Sequence, residues 1–412
     1  MHSDPPAAPA PTLAQRTPAP GRWQRTVTVC AVVALGTAAG AIDIRPVPPA
    51  RGRDLPPLAE QQVGADSQVG LGPAATSPDV YPAASRPVPS AASPRPSSTP
   101  TACRVGRLLV PTCGVLWGVA PGALTEDRGA TALAAFEQAS GRTQDIYHAY
   151  HRGQAELFPT AAERAIARQP GKNRLLFLNW KPTGASWAQI AAGARDGYLD
   201  RLAVHIRATY PDQFFFTVHH EPENDVRQRA GSGYTATDYA AMFRHVITRL
   251  RAHGATNLVT VIVHMAYPKL TSSWWFRDLY PGDDVVDWVG FDTYARSQPG
   301  YGYGDFNELI NRRSLAYGWP GFYTWATAEH PDKPLMVSEW GLWRTSGDPH
   351  AAALFGSVVR QLANFPRIKA MVYFDTPSDQ RGRDSRIDRV PSTLAAFRQL
   401  ARHPLFDVEL PG

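Results

Sequence analysis

The chain is poor in cysteine, with three in 412 residues, at positions 30, 103 and 113. Three thiols so placed lack the number and spacing of a structural metal site, and the His-Glu-x-x-His pattern of a catalytic zinc is missing as well. No metal and no cofactor is therefore expected. No Gly-x-Gly-x-x-Gly follows a strand-like run, so the fingerprint of a dinucleotide-binding sheet is absent. There is no run of Lys or Arg, although the formal net charge is +6. Residues 103–412 hold 34 basic and 30 acidic side chains, an excess too thin and scattered to point to nucleic acid. No internal repeat is found. The first 102 residues lack phenylalanine and contain one tryptophan, Trp23, yet carry 19 of the 38 prolines. Such a segment cannot bury enough apolar surface to offset its ordering entropy.

What is there divides into three parts. Within residues 1–42, Arg16, Arg22 and Arg25 lead into the apolar run 27–42, where Ala39-Gly40-Ala41 reads as a cleavage site. At 16 residues the run also approaches the length of a single-pass anchor. A signal peptide or membrane anchor is expected, and with it a secreted or extracellular protein. Residues 43–102 read as a disordered Pro/Ala/Ser linker, extended and solvated, a spacer from a membrane or cell-wall tether. Residues 103–412 hold ten of the eleven tryptophans and suffice for one large α/β domain, expected to be a monomer. Export implies an oxidising compartment, so Cys103 and Cys113 are expected to form a disulfide that pins the entry of this domain.

Short apolar runs alternate with helical patterns through the domain. Strands are expected at 114–119, 145–148, 174–179, 214–219, 258–263, 286–292, 335–338 and 368–374. Their Val/Ile/Leu/Phe-rich cores lack strict alternation, as in strands covered on both faces. The clearest helix is 237–253, with Ala240, Met242, Phe243, Val246, Ile247 and Leu250 on one stripe, Thr237 as N-cap and Gly254 as stop. The stretches 131–139 and 188–209 fit the same pattern. Eight strand–helix units predict a (β/α)8 TIM barrel; an open doubly wound sheet is the alternative.

Two strand-like runs end in acid: Phe214-Phe-Phe-Thr-Val-His-His-Glu221-Pro-Glu-Asn224, and Pro334-Leu-Met-Val-Ser-Glu339-Trp-Gly341. In a parallel barrel the C-terminal ends of the strands converge on one mouth, so glutamates 118 positions apart can meet there. Glycosidic bonds are cut by two such carboxyl groups, one protonated and one ionised. Glu221 falls just past the fourth strand and Glu339 at the end of the seventh. Here the sequence resembles retaining (β/α)8 glycosidases, which place the acid/base after strand four and the nucleophile at the end of strand seven; by that resemblance Glu339 is assigned the nucleophile, ionised and oriented by a hydroxyl such as that of Tyr294. Glu221 is assigned the acid/base, its pKa raised by the neighbouring charge. Glu223 competes for that second role.

Together, His220-Glu221, Ser338-Glu339-Trp340-Gly341 and Trp288-Val-Gly-Phe-Asp292-Thr-Tyr294 resemble glycoside hydrolase family 26. This group of retaining (β/α)8 enzymes includes β-mannanases and some β-1,3-1,4-glucanases and xylanases. The resemblance spans most of residues 110–380. It implies an endo-β-glycosidase acting on a polysaccharide, with mannan or mixed-linkage β-glucan first, and makes His220 a substrate contact. One departure stands out. The typical mannanase motif continues from the acid/base into Asn-Gly and a tryptophan-rich segment. Here Glu221 is followed by Pro-Glu-Asn-Asp-Val-Arg-Gln-Arg-Ala-Gly-Ser-Gly-Tyr, without Trp. A catalytically idle carbohydrate-binding barrel is therefore the alternative.

Sugars stack flat C–H faces on aromatic rings and give hydroxyls to polar groups. On that ground the strand ends add Asn224, Asp292, Trp180, Lys181, His264, Trp340 and Tyr373 as substrate-binding candidates. Trp117, Trp343 and the Trp274-Trp275 pair are weaker ones. His219 is expected to pack inside the barrel.

Overall fold

The computed structural model describes residues 102–126, 128–296, 304–343 and 351–411, which fall within one compact unit, Ser93–Gly412. The expected signal or anchor and the linker lie outside the described residues.

Each of the eight expected runs is a strand: β1 (Leu116–Pro121), β2 (Ile146–Arg152), β3 (Leu175–Lys181), β4 (Phe214–Val218), β5 (Leu258–Met265), β6 (Trp288–Arg296), β7 (Leu335–Trp343) and β8 (Ile368–Asp375). They pair in parallel in chain order, and β8 closes back on β1. A closed parallel barrel leaves no edge strand, and it excludes the open sheet. Helices Ala130–Ser140, Asp196–Thr209, Ala236–Ala252, Ala351–Leu362 and Pro391–Ala401 cover its outside.

Side chains on a strand alternate between two faces, and here both faces are apolar. In β4, Phe215 points into the barrel while Phe214, Phe216 and Val218 face the helices, which explains a triple-phenylalanine run. In β5, Val259, Val261 and Val263 point inward and Leu258 and Ile262 outward. Strand β7 breaks this rhythm. Its register against both neighbours shifts after Val337, a bulge that places one extra residue at Ser338. A bulge re-aims the side chains that follow. Beyond it Trp340 turns out to the helix layer, and Glu339 takes the inward direction.

Helix boundaries differ from the expected ones in two places. The longest helix begins at Ala236 because Thr235, not Thr237, accepts from the Asp238 amide, and Asp238 bonds back to the Thr235 amide. That reciprocal pair is a capping box. The expected helix 188–209 is two helices, Trp187–Ala191 and Asp196–Thr209, parted at Gly193, whose φ of 96° suits glycine.

Cys103 and Cys113 form a disulfide with Cα atoms 5.0 Å apart. The loop between them closes the N-terminal end of the barrel. Leu109 packs on the inward cluster and the Trp288 indole donates to the Leu108 carbonyl at 2.7 Å. The mouth is thus the opposite, C-terminal end. Among the described residues no helix is long and apolar enough to cross a membrane.

Candidate active site

Glu339 stands in the mouth, buried, between two phenols. Tyr150 donates to one carboxylate oxygen at 2.6 Å and Tyr294 to the other at 2.5 Å. The His220 imidazole lies 3.6 Å from the oxygen that Tyr150 holds. Burial pushes the carboxyl up to about 7, and the two hydroxyls pull against that rise by favouring the anion.

Glu221 follows β4 in an unusual turn. His219 and Glu221 both take left-handed backbone, with φ of 53° and 50°. Non-glycine residues avoid that region, and strain of this kind gathers at functional sites. The Glu221 amide donates to the Val263 carbonyl across the end of β5 at 3.0 Å, which anchors the turn. Asn224 donates to the Glu221 carboxyl at 3.0 Å. Burial pushes this carboxyl up to about 8, with the charges of Glu339 and Glu223 adding to the rise.

The imidazole beside Glu339 is fixed from behind. Asn179, inward-facing on β3, donates its amide to His220 Nδ1 at 2.5 Å, so the proton sits on Nε2, toward Glu339. Burial, helped by His219 and Lys181, lowers its pKa to about 3, so the ring is neutral. Asp292 lies below, paired in register with Glu339 across β6 and β7. Its buried carboxyl faces the Ser338 hydroxyl outside normal hydrogen-bond geometry. Burial first, and then the charges of Glu339, Glu221 and Glu223, raise it well above the carboxylate range. His220, Asp292 and Glu339 are, among the described residues, the one acid–imidazole group whose ligand atoms all lie within 4.8 Å of one another. Both oxygens of Glu339 already accept phenol protons there, so the set reads as a hydrogen-bonded acid cluster.

Glu223 is withdrawn from the mouth: it is buried and bonded to His264 Nδ1 at 2.6 Å and to the Met265 amide at 3.2 Å. Strand parity explains most of the other corrections. His264 is on the outward face of β5, buried among Phe276, Phe322 and Trp325. Trp180 faces the helices from β3, stacks on Tyr198 and donates to the Gly153 carbonyl. Tyr373 faces outward on β8 and donates to the Ser385 carbonyl. Trp340, turned by the bulge, packs edge-on against Trp117, itself buried in the outer layer. None of these five reaches a sugar. Trp343 does stay at the mouth, stacked on Tyr294 with Arg383 over its other side. Trp274 is 78% exposed and Trp275 packs on the core. His219 is buried, accepting from Trp187 and bonded to Asp225. Lys181 pairs with the same Asp225 at 2.7 Å.

Tyr150 is the side chain that the sequence did not single out. The expected second strand stopped at 148, whereas β2 runs on to Arg152. Inward parity from Ile146 through His148 leads to Tyr150, and that was the available signal.

A family model described as Glycosyl hydrolase family 26 matches residues 189–316, a stretch that holds Glu221, Asp292 and Tyr294. The chain is 24% identical over 277 residues to Endoglucanase H of Acetivibrio thermocellus, covering 65% of this chain and 29% of that protein. It thus spans less than a third of that relative's length. It is 35% identical over 69 residues to the Beta-1,3-xylanase TXYA of a Vibrio species, covering 16% of this chain and 14% of that one. Among solved structures, a GH26 beta-mannanase from Bacteroides ovatus is similar at 17% identity and a TM-score of 0.49. That match covers 72% of this chain and 90% of that one.

Proposed function

We propose, from the premise that the chain is a member of glycosyl hydrolase family 26, that it is an exported retaining endo-β-glycosidase. The observation that carries the reading is the asymmetry of the two glutamates. Glu339 has two hydroxyl donors that favour its anion, and Glu221 has no comparable pair, so the first proton lost from the couple leaves Glu339. That is the protonation pattern a double displacement requires.

In the first step a Glu339 oxygen bonds to the anomeric carbon while the glycosidic C–O bond breaks. The leaving oxygen takes the proton of Glu221. In the second, water attacks the anomeric carbon, Glu221 recovers a proton from it, and the Glu339 ester bond breaks. The phenols of Tyr150 and Tyr294 hold the carboxylate for attack, and neutral His220 presents its Nε2 proton beside the reacting carbon. Mannan and mixed-linkage β-glucan lead the substrate candidates, and the name of the second relative adds β-1,3-xylan. Export rests on the basic and apolar pattern of residues 1–42.

The test is hydrolysis of a β-glycan panel by wild type, Glu339→Gln and Glu221→Gln, with the anomer of the first product read by NMR. Loss of at least about a hundredfold in each variant is expected, since acid–base catalysis alone is worth roughly that, together with retention of configuration. Binding without hydrolysis by wild type would instead favour the idle carbohydrate-binding barrel.

A further inference from the structure

Beside the two glutamates the mouth carries a second concavity, of about 230 Å³. Ligand pockets usually exceed about 300 Å³, so this one suits a single unit of a longer chain. Three strand ends build it. Arg152 ends β2 and Lys181 ends β3, directly opposite each other in register, and His219 follows β4. The segment after Glu221 closes it with Asp225, Arg227 and, further on, Tyr234.

The charges do not cancel. Asp225 is the acid among these residues, and it is already shared between Lys181 at 2.7 Å and His219 at 2.8 Å. His219 accepts on Nδ1 from Trp187, so its Nε2 proton points at Asp225 and its ring is neutral there. Arg152 and Arg227 remain. Among the described residues neither guanidinium has an acid partner, and Arg227 lies over the Tyr234 ring at 5.0 Å. Two guanidinium groups without an acid partner, lining one concave site, favour an anion there. A guanidinium presents a planar fork of donors that matches a carboxylate two bonds at a time.

We propose that this concavity is a subsite for an acidic sugar, and that the protein acts on a β-glycan bearing uronic acid units. The uronate carboxylate would lie between Arg152 and Arg227, with its ring against Tyr234. The proposal rests on the glycosidase reading and refines its substrate. It also accounts for the segment after Glu221. In a segment where the resemblance leads one to expect tryptophans, apolar platforms for neutral sugars, this chain has none and carries Arg227.

Two measurements on the full chain separate the pocket from the reaction. The first is binding of methyl β-glucuronide, methyl β-glucoside and methyl β-glucoside 6-sulfate, followed by NMR or calorimetry in wild type, Arg152→Gln and Arg227→Gln. Both arginines are exposed, so neither change threatens the fold. The glucuronide is expected to bind at least about tenfold more tightly than the glucoside, and each substitution to weaken it by about that factor. Stronger binding of the sulfate ester than of the glucuronide, still dependent on both arginines, would overturn the carboxylate assignment in favour of a sulfated glycan. Equal binding of glucuronide and glucoside, unmoved by the substitutions, would overturn the subsite altogether. The second is kcat/KM on a glucuronic acid-bearing xylan and on the same xylan after carboxyl reduction. The acidic form is expected to be cut faster, with the gap closing in both variants. Arginine-dependent glucuronide binding with no cleavage of any β-glycan would leave the subsite standing and sink the glycosidase reading instead.

Discussion

At the scale of the residue, the site works through small differences between similar groups. Three carboxyls, Glu221, Asp292 and Glu339, feel one another's charge at the mouth, and desolvation raises all three. Two phenols single out Glu339 for ionisation. The proposed double displacement needs Glu339 ionised and Glu221 protonated, so kcat/KM should rise with pH as Glu339 loses its proton and fall as Glu221 does. Tyr150→Phe and Tyr294→Phe each remove a donor that favours the Glu339 anion. The acidic limb of the pH–rate profile should then move to higher pH, with kcat/KM down roughly ten- to a hundredfold near neutrality. An unmoved acidic limb in both would mean that these hydroxyls do not tune Glu339. Glu223→Gln makes the complementary case. It disturbs the buried bond to His264 and should cost about 1–3 kcal/mol of stability while leaving kcat within about tenfold. Denaturant unfolding beside a rate assay distinguishes it from Glu221→Gln.

At the scale of the element, strand parity and one bulge decide what reaches the mouth. Inward positions at the ends of β2, β3 and β6 deliver Tyr150, Asn179 with Lys181, and Tyr294. The extra residue in β7 reverses the parity that Met336 sets, and without it Trp340 would face the mouth and Glu339 the helices. Strands β1 and β2 also approach closely. A Cβ on Gly118 would stand 2.6 Å from the Ile146 Cβ and 2.9 Å from its carbonyl oxygen. Gly118→Ala should therefore destabilise by about 1–3 kcal/mol through overpacking, visible as a lower Tm.

At the scale of the whole molecule, the buried acid cluster links stability to pH. A carboxyl with a raised folded-state pKa holds its proton in the fold after the unfolded chain has lost it. Its contribution is therefore full below the unfolded value near 4.5 and is lost as pH climbs through the folded value of about 7 for Glu339. Glu339→Gln should accordingly stabilise the fold by about 1–3 kcal/mol at pH 8.5 and by little at pH 4.5, measured by thermal unfolding at both. A variant destabilised equally at the two pH values would contradict a buried acid cluster.

Most of the architecture was legible along the chain. The eight apolar runs announced eight parallel strands, because strands covered on both faces must be apolar throughout. The glutamates at the ends of the fourth and seventh runs pointed to two-carboxyl chemistry, since barrel topology brings strand ends together. Which face a side chain takes was not legible. Trp180, His264, Trp340 and Tyr373 stand at strand ends as polar or aromatic as any sugar site, yet all four turn outward. Parity and the β7 bulge arise from hydrogen-bond register between strands, which no local pattern specifies. Tyr150 beside Glu339, and Arg152 and Arg227 on one concavity, are likewise meetings of distant segments. The order of the residues determined the barrel and its acids; the register of the closed sheet decided which of their neighbours they meet.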